Sequence, residues 1–233
     1  MENPEVIKVD LDSIKFAFQP IYDIKTGDLF GHEALMRPDG CTPMELINSY
    51  ERAGLLNRIE EVTFYNGTKA FMEAQLDGYL FLNSFPGACM SLEMAMATAE
   101  LGGDQMADRL YVEVLEYTKY DSFAWSLKKK VIQETGSTPG IVIDDFGTGE
   151  NIDRMCIDKY KPSIVKIDRK FITHIDSNEE NQAIVADMIT QLHDLGIKVL
   201  AEGVETVEEY TYLMRTDIDY MQGFYLGKPK IYA

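Results

Sequence analysis

Ile164-Val165-Lys166-Ile167-Asp168, an amphipathic stretch from Glu179 to Leu195 closed by Gly196, and then Lys198-Val199-Leu200-Ala201-Glu202 form the run whose reading decides the fold. Two short apolar segments flank a longer one of helical spacing. Strand–helix alternation of this kind implies parallel strands. The same alternation continues in both directions. Upstream, Gly140-Ile141-Val142-Ile143-Asp144 precedes a helix around Ile152 to Lys159, and Leu110 to Val114 precedes a helix from Ser122 to Glu134 closed by Gly136. Tyr79 to Asn83 precedes a helical stretch from Ser91 to Asp108, broken at Gly102-Gly103, and Met44 to Gln75 reads as a pair of helices. Downstream, a helix from Val207 to Arg215 leads to a last strand, Tyr220 to Phe224.

The start of the chain breaks the rule. Phe16 to Tyr22 and Leu29 to Leu35 are strands separated only by the turn Lys25-Thr26-Gly27-Asp28. A connection this short joins antiparallel strands, because a parallel pair needs a long crossover. The count is eight strands, with helices in every gap after the hairpin and no linker-like segment. This predicts an α/β fold, a modified TIM (β/α)8-type barrel with an antiparallel first strand, formed as a single domain over residues 1–233.

The 233 residues carry 39 acidic and 22 basic side chains, a formal net charge of −17. A surface this acidic argues against polymeric nucleic acid, which is bound through Lys and Arg on phosphates. A small anionic ligand stays open, because bound cations invert the local field. Cys41, Cys89 and Cys156 form no CxxC or Cys/His pattern, which argues against zinc and against a disulfide framework. The N-terminus lacks a signal-peptide pattern, and no apolar stretch reaches membrane-spanning length, so the expectation is a soluble cytoplasmic protein.

In parallel barrels the chemistry lies at the C-terminal ends of the strands. Those ends read Glu33, Asn83, Glu113 with Glu116, Asp144 with Asp145, Lys166 with Asp168, Glu202 with Glu205, and Gln222. A charge at the end of a buried strand is costly unless paired or bound to metal. Carboxylates converging on one end either stay partly protonated or are neutralised by cations. Hard oxygen donors with one amide suit Mg²⁺ or Mn²⁺ rather than zinc. Lys166 and Asp168, two apart, face the same side. Any one of these carboxylates taken alone reads as a helix cap or surface ion pair, and Asp145 and Glu205 fit that description. The recurrence at nearly every strand end favours a ring. His32 neighbours Glu33 and points the other way, as a structural residue; Met94 and Met96 read as packing. Arg37, just after the second strand, suits a phosphate contact.

These residues resemble the EAL domain family, bacterial phosphodiesterases that linearise cyclic di-GMP. The resemblance runs over roughly residues 14 to 231 and rests on Gly31-His32-Glu33-Ala34-Leu35-Met36-Arg37, Phe81-Leu82-Asn83, Glu113-Val114-Leu115-Glu116, Asp144-Asp145-Phe146-Gly147-Thr148-Gly149, Lys166-Ile167-Asp168, Glu202-Gly203-Val204-Glu205-Thr206 and Gln222-Gly223-Phe224. It implies two divalent cations, Mg²⁺ or Mn²⁺, activating water for in-line attack at phosphorus with pGpG as product. It implies Glu33, Asn83, Glu113 and Asp144 as direct metal ligands, with Asp145 bridging the metals or holding the second. Asp168, Glu202 and Gln222 then surround the second metal and the water. Lys166 contacts that water, and Lys166, Glu33 and Glu202 form the catalytic group. Gln19 and Arg37 become substrate contacts beside Gln222, Glu116 the anchor of the loop after the fifth strand, and Glu205 a supporting residue. It also implies a homodimer through the loop and helix after the fifth strand.

The main departure from the family pattern is that Glu150 and Asn151 stand where active members carry Tyr-Ser; Leu115 in place of Thr and Pro38 in place of Trp are smaller ones. The alternative function is therefore a catalytically weak or inactive domain acting as a cyclic di-GMP receptor or a protein-interaction module. The double substitution Glu150→Tyr/Asn151→Ser is expected to raise turnover or dimerisation. No change in either would mean that the departure is neutral.

Overall fold

The turn at Lys25–Asp28 sets the direction of the first strand. Asp23 Oδ1 accepts the backbone N–H groups of Lys25 and Thr26 at 2.8 and 3.0 Å, and Gly27 takes φ +74°, a left-handed conformation that glycine adopts without steric cost. In this computed structural model, which describes residues 6–106, 108–115, 121–135, 140–147 and 154–232, the turn joins β1 (Lys15–Asp23) to β2 (Leu29–Arg37). The two strands are antiparallel, with Gln19 opposite Glu33.

From β2 onward the strands run parallel: β3 (Tyr79–Ser84), β4 (Leu110–Val114), β5 (Gly140–Phe146), β6 (Ile164–Ile167), β7 (Lys198–Ala201) and β8 (Tyr220–Met221). β8 then pairs antiparallel with β1, which closes the barrel in the order β1 to β8. This is the expected modified (β/α)8 barrel.

The helices are α1 (Pro43–Arg52), α2 (Leu56–Glu73), α3 (Leu92–Met106), α4 (Ser122–Thr135), α5 (Arg154–Tyr160), α6 (Arg169–Ile172), α7 (Glu179–Asp194) and α8 (Val207–Leu213). Thr42 with Glu45 and Thr206 with Glu209 form capping boxes at α1 and α8, each satisfying backbone donors that the first helical turn leaves unpaired. The short α6 is not evident in the sequence pattern. The last strand is shorter than the expected Tyr220 to Phe224. Beyond Met221 the chain pairs with the loop after β7 instead: Val204 N–H donates to Gln222 O at 3.1 Å and Tyr225 N–H to Val204 O at 3.0 Å. Gly223 permits this approach, since a Cβ there would lie 2.1 Å from Val204 O.

Alternate residues of each strand face the barrel axis. Ile21, Phe81, Tyr111, Val142, Ile164, Leu200 and Tyr220 meet inside as one buried apolar cluster. Phe81 stacks on Tyr111 with centroids 4.7 Å apart, and Tyr220 on Phe30 at 4.0 Å. Two residues away, on the same strands or directly past their ends, stand Gln19, Asn83, Glu113, Asp144, Lys166, Glu202 and Gln222. The polar layer thus rests on an apolar floor. The outward residues pack under the helices: Phe16, Phe18 and Phe71 in one cluster, Val165, Val199 and Ile189 in another. His32 belongs to the outward set, edge-on to Phe71 at 6.1 Å. Burial lowers its pKa, with Asp77 opposing, so the imidazole is neutral.

Asp219, just before β8, holds the seam from below. Its carboxylate accepts Val199 N–H at 3.0 Å, Lys198 Nζ at 2.7 Å and lies 2.7 Å from His193 Nε2. Burial alone would raise its pKa, but Lys198, His193 and the Val199 N–H outweigh it and hold the carboxyl below its ordinary value. A depressed folded pKa means that this stabilisation is present above the unfolded carboxylate pKa of about 4 and is lost as pH falls through the folded value. Asp219→Asn should therefore lower unfolding free energy at pH 7 by about 1 kcal/mol. Urea denaturation should show the gap from wild type closing at strongly acidic pH; a gap that does not change with pH would contradict the assignment.

Candidate metal centre

Lys166 on β6 is 1% exposed, and its ammonium stands among carboxylates from four other strands or strand ends. Nζ lies 2.5 Å from Glu113 Oε1, 2.5 Å from Glu202 Oε1, 3.0 Å from Asp144 Oδ1 and 3.7 Å from Glu33 Oε2. Gln222 Nε2 donates to Glu33 Oε2 at 2.6 Å. Gln19 lies on β1 opposite Glu33, and its Nε2 donates to Gly227 O at 3.1 Å.

Strand alternation would send Asp144 and Asp145 to opposite faces. A bulge prevents this. Ile143 pairs with Val165 but Phe146 with Ile167, so β5 carries one more residue than β6 over the interval. Asp145 takes φ +50°, a conformation costly for a non-glycine residue and concentrated at functional sites. The result is that Asp144, Asp145 and Glu202 each bring a carboxylate oxygen within 4.8 Å of the others.

At that separation, 4.8 Å, two ionised carboxylates repel by roughly 3 kcal/mol at an effective dielectric of about 20. Three such pairs together approach the whole stability of a typical domain, about 5–15 kcal/mol. Full ionisation without a counter-charge is therefore excluded. The pKa values respond accordingly. Burial, with Glu33, Asp144 and Glu202 adding, raises Glu113 well above the ordinary range despite Lys166. Burial, with Asp144 and Glu33 adding, does the same for Glu202. Burial and the neighbours Asp144 and Asp168 push Asp145 up to about 6. For Lys166, burial alone would lower the pKa, but Asp144, Glu113, Glu202 and Glu33 outweigh it and raise it well above its usual value. The group is an ammonium, a donor and not a base.

Buried polar atoms are normally hydrogen-bonded, and exceptions call for an explanation. Among the described residues, seven buried side-chain atoms lack a hydrogen-bond partner, and four of them are Asn83 Oδ1, Glu113 Oε2, Asp144 Oδ1 and Gln222 Oε1. Asp144 Oδ1 lies near Lys166 Nζ at 3.0 Å, but without hydrogen-bond alignment. Four oxygen acceptors left open at one end of one barrel form a donor set for hard divalent cations.

The remaining sequence candidates fall in two groups. Gln19, Glu33, Asp145, Asp168, Glu202, Glu205 and Gln222 line one cleft of about 210 Å³. Within it, Asp168 caps α6, its Oδ1 accepting Lys170 N–H at 3.0 Å, and Glu205 pairs with Arg169 at 3.1 Å. Arg37 ends β2 at the rim but does not line this cleft; its Nη1 donates to Met36 O at 2.8 Å. Glu116, Glu150 and Asn151 lie outside the described residues. Arg169 and Phe224 also line the cleft and were missed by the strand-end reading: Arg169 sits past its strand, and Phe224, the end of the expected last strand, is apolar. Arg169's place directly after Asp168 was the available signal.

Residues 7–229 match the family model described as EAL domain. Among curated relatives, the bifunctional diguanylate cyclase/cyclic di-GMP phosphodiesterase MucR of Pseudomonas aeruginosa is 31% identical over 226 residues, covering 91% of this chain and 32% of that protein. The chain spans less than a third of the length of each of the first four such relatives. Among solved structures, Klebsiella pneumoniae BlrP1 in a manganese/cy-diGMP complex superposes with TM-score 0.76 at 26% identity, over 97% of this chain and 58% of that one. A standalone EAL protein of Vibrio cholerae O395 in its c-di-GMP-bound form gives TM-score 0.81 at 23% identity over 97% and 95% of the two chains; at that identity the likeness is one of fold.

If the ammonium holds the ring together, Lys166→Met should destabilise the metal-free protein by about 3 kcal/mol or more, since it leaves buried carboxylates uncompensated. Thermal denaturation in EDTA measures the loss, and excess Mn²⁺ should recover part of it. Equal melting temperatures for variant and wild type in EDTA would mean that Lys166 is not the organising charge.

Proposed function

This chain belongs to the EAL domain family, and from that premise we propose that it is a metal-dependent phosphodiesterase that hydrolyses cyclic di-GMP to linear pGpG. The observation that carries the reading is the set of open buried oxygens on Asn83, Glu113, Asp144 and Gln222 around an ammonium that cannot leave. The names of MucR and of the manganese/cy-diGMP complex of BlrP1 support the substrate and the class of cation.

In this reading Glu33, Asn83, Glu113 and Asp144 hold one cation, and Asp145, Asp168 and Glu202 complete a second site. Two Mg²⁺ or Mn²⁺ ions supply Lewis-acid activation of water and neutralise charge developing at phosphorus. Lys166 donates a hydrogen bond to the attacking water, which orients it, and its fixed charge stabilises the anionic transition state. The water oxygen bonds to phosphorus as the P–O3′ bond breaks; the water gives up a proton to a surrounding carboxylate and O3′ takes one up, so one ring ester opens and the 5′-phosphate stays on the product. The apolar layer of Phe81, Tyr111 and Leu200 seals the floor, which keeps bulk water out and strengthens these interactions. Gln19 and Gln222 contact the substrate within the cleft. Arg37 reaches a phosphate after releasing the Met36 carbonyl. Glu205 supports the loop after β7, and a homodimer through α5 belongs to the same reading.

A receptor that binds cyclic di-GMP without cutting it is the second reading, favoured by Glu150 and Asn151. Incubation with cyclic di-GMP and Mg²⁺ or Mn²⁺, followed by separation of the nucleotides, decides between them: pGpG is expected, whereas tight binding with no product would select the receptor. Glu33→Ala should reduce turnover at least about 100-fold through loss of a ligand. Near wild-type turnover in that variant would remove Glu33 from the centre.

A further inference from the structure

We infer that Glu60 and Lys128, a buried ion pair on the outer side of the barrel, are positioning residues that aim Asn83 and steady Glu113 for cation binding; the inference rests on the metal-dependent reading above. Glu60 on α2 is 0% exposed and Lys128 on α4 is 4% exposed. Lys128 Nζ lies 2.6 Å from Glu60 Oε1. Glu60 also accepts Ser84 Oγ–H at 2.9 Å and the Phe85 backbone N–H at 3.0 Å. Lys128 donates to Ser84 Oγ at 2.5 Å and to Phe85 O at 2.8 Å. Among the described residues, every other hydrogen bond of the pair thus ends on the two residues that follow Asn83.

Side chains alternate along a strand, so Ser84 faces the helices while Asn83 faces the axis. Asn83 Oδ1 has no hydrogen-bond donor on its own side. What fixes this end of β3 is therefore the outer network, which engages both the N–H and the C=O of Phe85. Ser84 O in turn accepts Leu115 N–H at 3.1 Å, which ties the end of β4, two residues past Glu113, to the same anchor.

Stability alone does not account for the pair. Removing two charges from water costs about as much as their attraction returns, and well-packed apolar residues of similar volume often serve a fold equally well. Groups behind a metal ligand that fix its orientation, by contrast, alter metal affinity by about 10–100-fold when replaced. Neither residue lies at a strand end, and the alternation of the sequence does not reveal them.

The test is Mn²⁺ affinity of the metal-free protein, measured by calorimetry or by the electron paramagnetic resonance of free Mn²⁺, together with thermal melting. The double variant Glu60→Leu/Lys128→Met leaves Ser84 Oγ and both backbone groups of Phe85 without these partners, so it should melt below wild type, and it should bind Mn²⁺ ~10-fold or more weakly. Asp219→Asn, at the other end of the barrel, should lose stability and keep wild-type affinity. Where the double variant does not fold, Glu60→Gln, which keeps the side-chain volume, should weaken Mn²⁺ binding severalfold. A folded variant with wild-type Mn²⁺ affinity overturns the inference and leaves the metal reading standing. A wild-type protein that takes up no Mn²⁺ overturns the metal reading and this inference with it.

Discussion

The ammonium of Lys166 and the carboxylates of Glu113, Glu202, Asp144 and Glu33 around it are the interaction on which the rest of the molecule turns. A charge this deep is tolerated only with partners. Here the partners come from four different strands or strand ends, because closing the barrel brings β2 and β7 to the same axis as β6. One cation cannot neutralise four carboxylates. The excess of negative charge keeps Lys166 protonated, adds to the burial that raises Glu113 and Glu202, and accompanies oxygens left without hydrogen-bond donors. A single physical condition thus gives the fold its costliest feature and the site the oxygen donors on which the proposed cation binding rests.

The two ends of the barrel divide the work. At the lower end, the stacked rings and the Asp219 seam meet ordinary demands of burial and hydrogen bonding. At the upper end, acceptors remain unsatisfied and Asp145 sits in a strained conformation. Strain and missing partners at one end of a parallel barrel are what its site-bearing face leads one to expect. The Glu60–Lys128 pair belongs to the upper end although it lies outside the sheet, because its bonds reach the last residues of β3. The formal net charge of −17 fits the same scheme: an acidic protein can take a small anion when cations sit between the two.

The fold class was legible in the sequence because its signals are local. A turn four residues long from Lys25 to Asp28 leaves no room for a parallel crossover, and each later apolar run is separated from the next by enough chain for a helix. The ring was legible for a related reason: Glu33, Asn83, Glu113, Asp144, Lys166 and Glu202 all interrupt or end apolar runs, where a polar group is expensive without a purpose. Glu60 and Lys128 gave no such signal, since an acid or a base in an amphipathic helix reads as solvent-facing until its burial is seen.

The sequence by itself therefore determined the order of elements, the antiparallel start and the residues that supply charge to one end, all of which follow from spacing along the chain. Tertiary structure alone decided which charges meet. It made Lys166 the hub and not one member among equals, placed Asp145 beside Asp144 through a bulge, set Arg37 on its own neighbour's carbonyl, and ended β8 early against the loop after β7. These outcomes depend on register across the closed sheet and on which helix lies behind which strand. Periodicity reports on neighbours in sequence; partners from opposite sides of the barrel are assigned only when it closes.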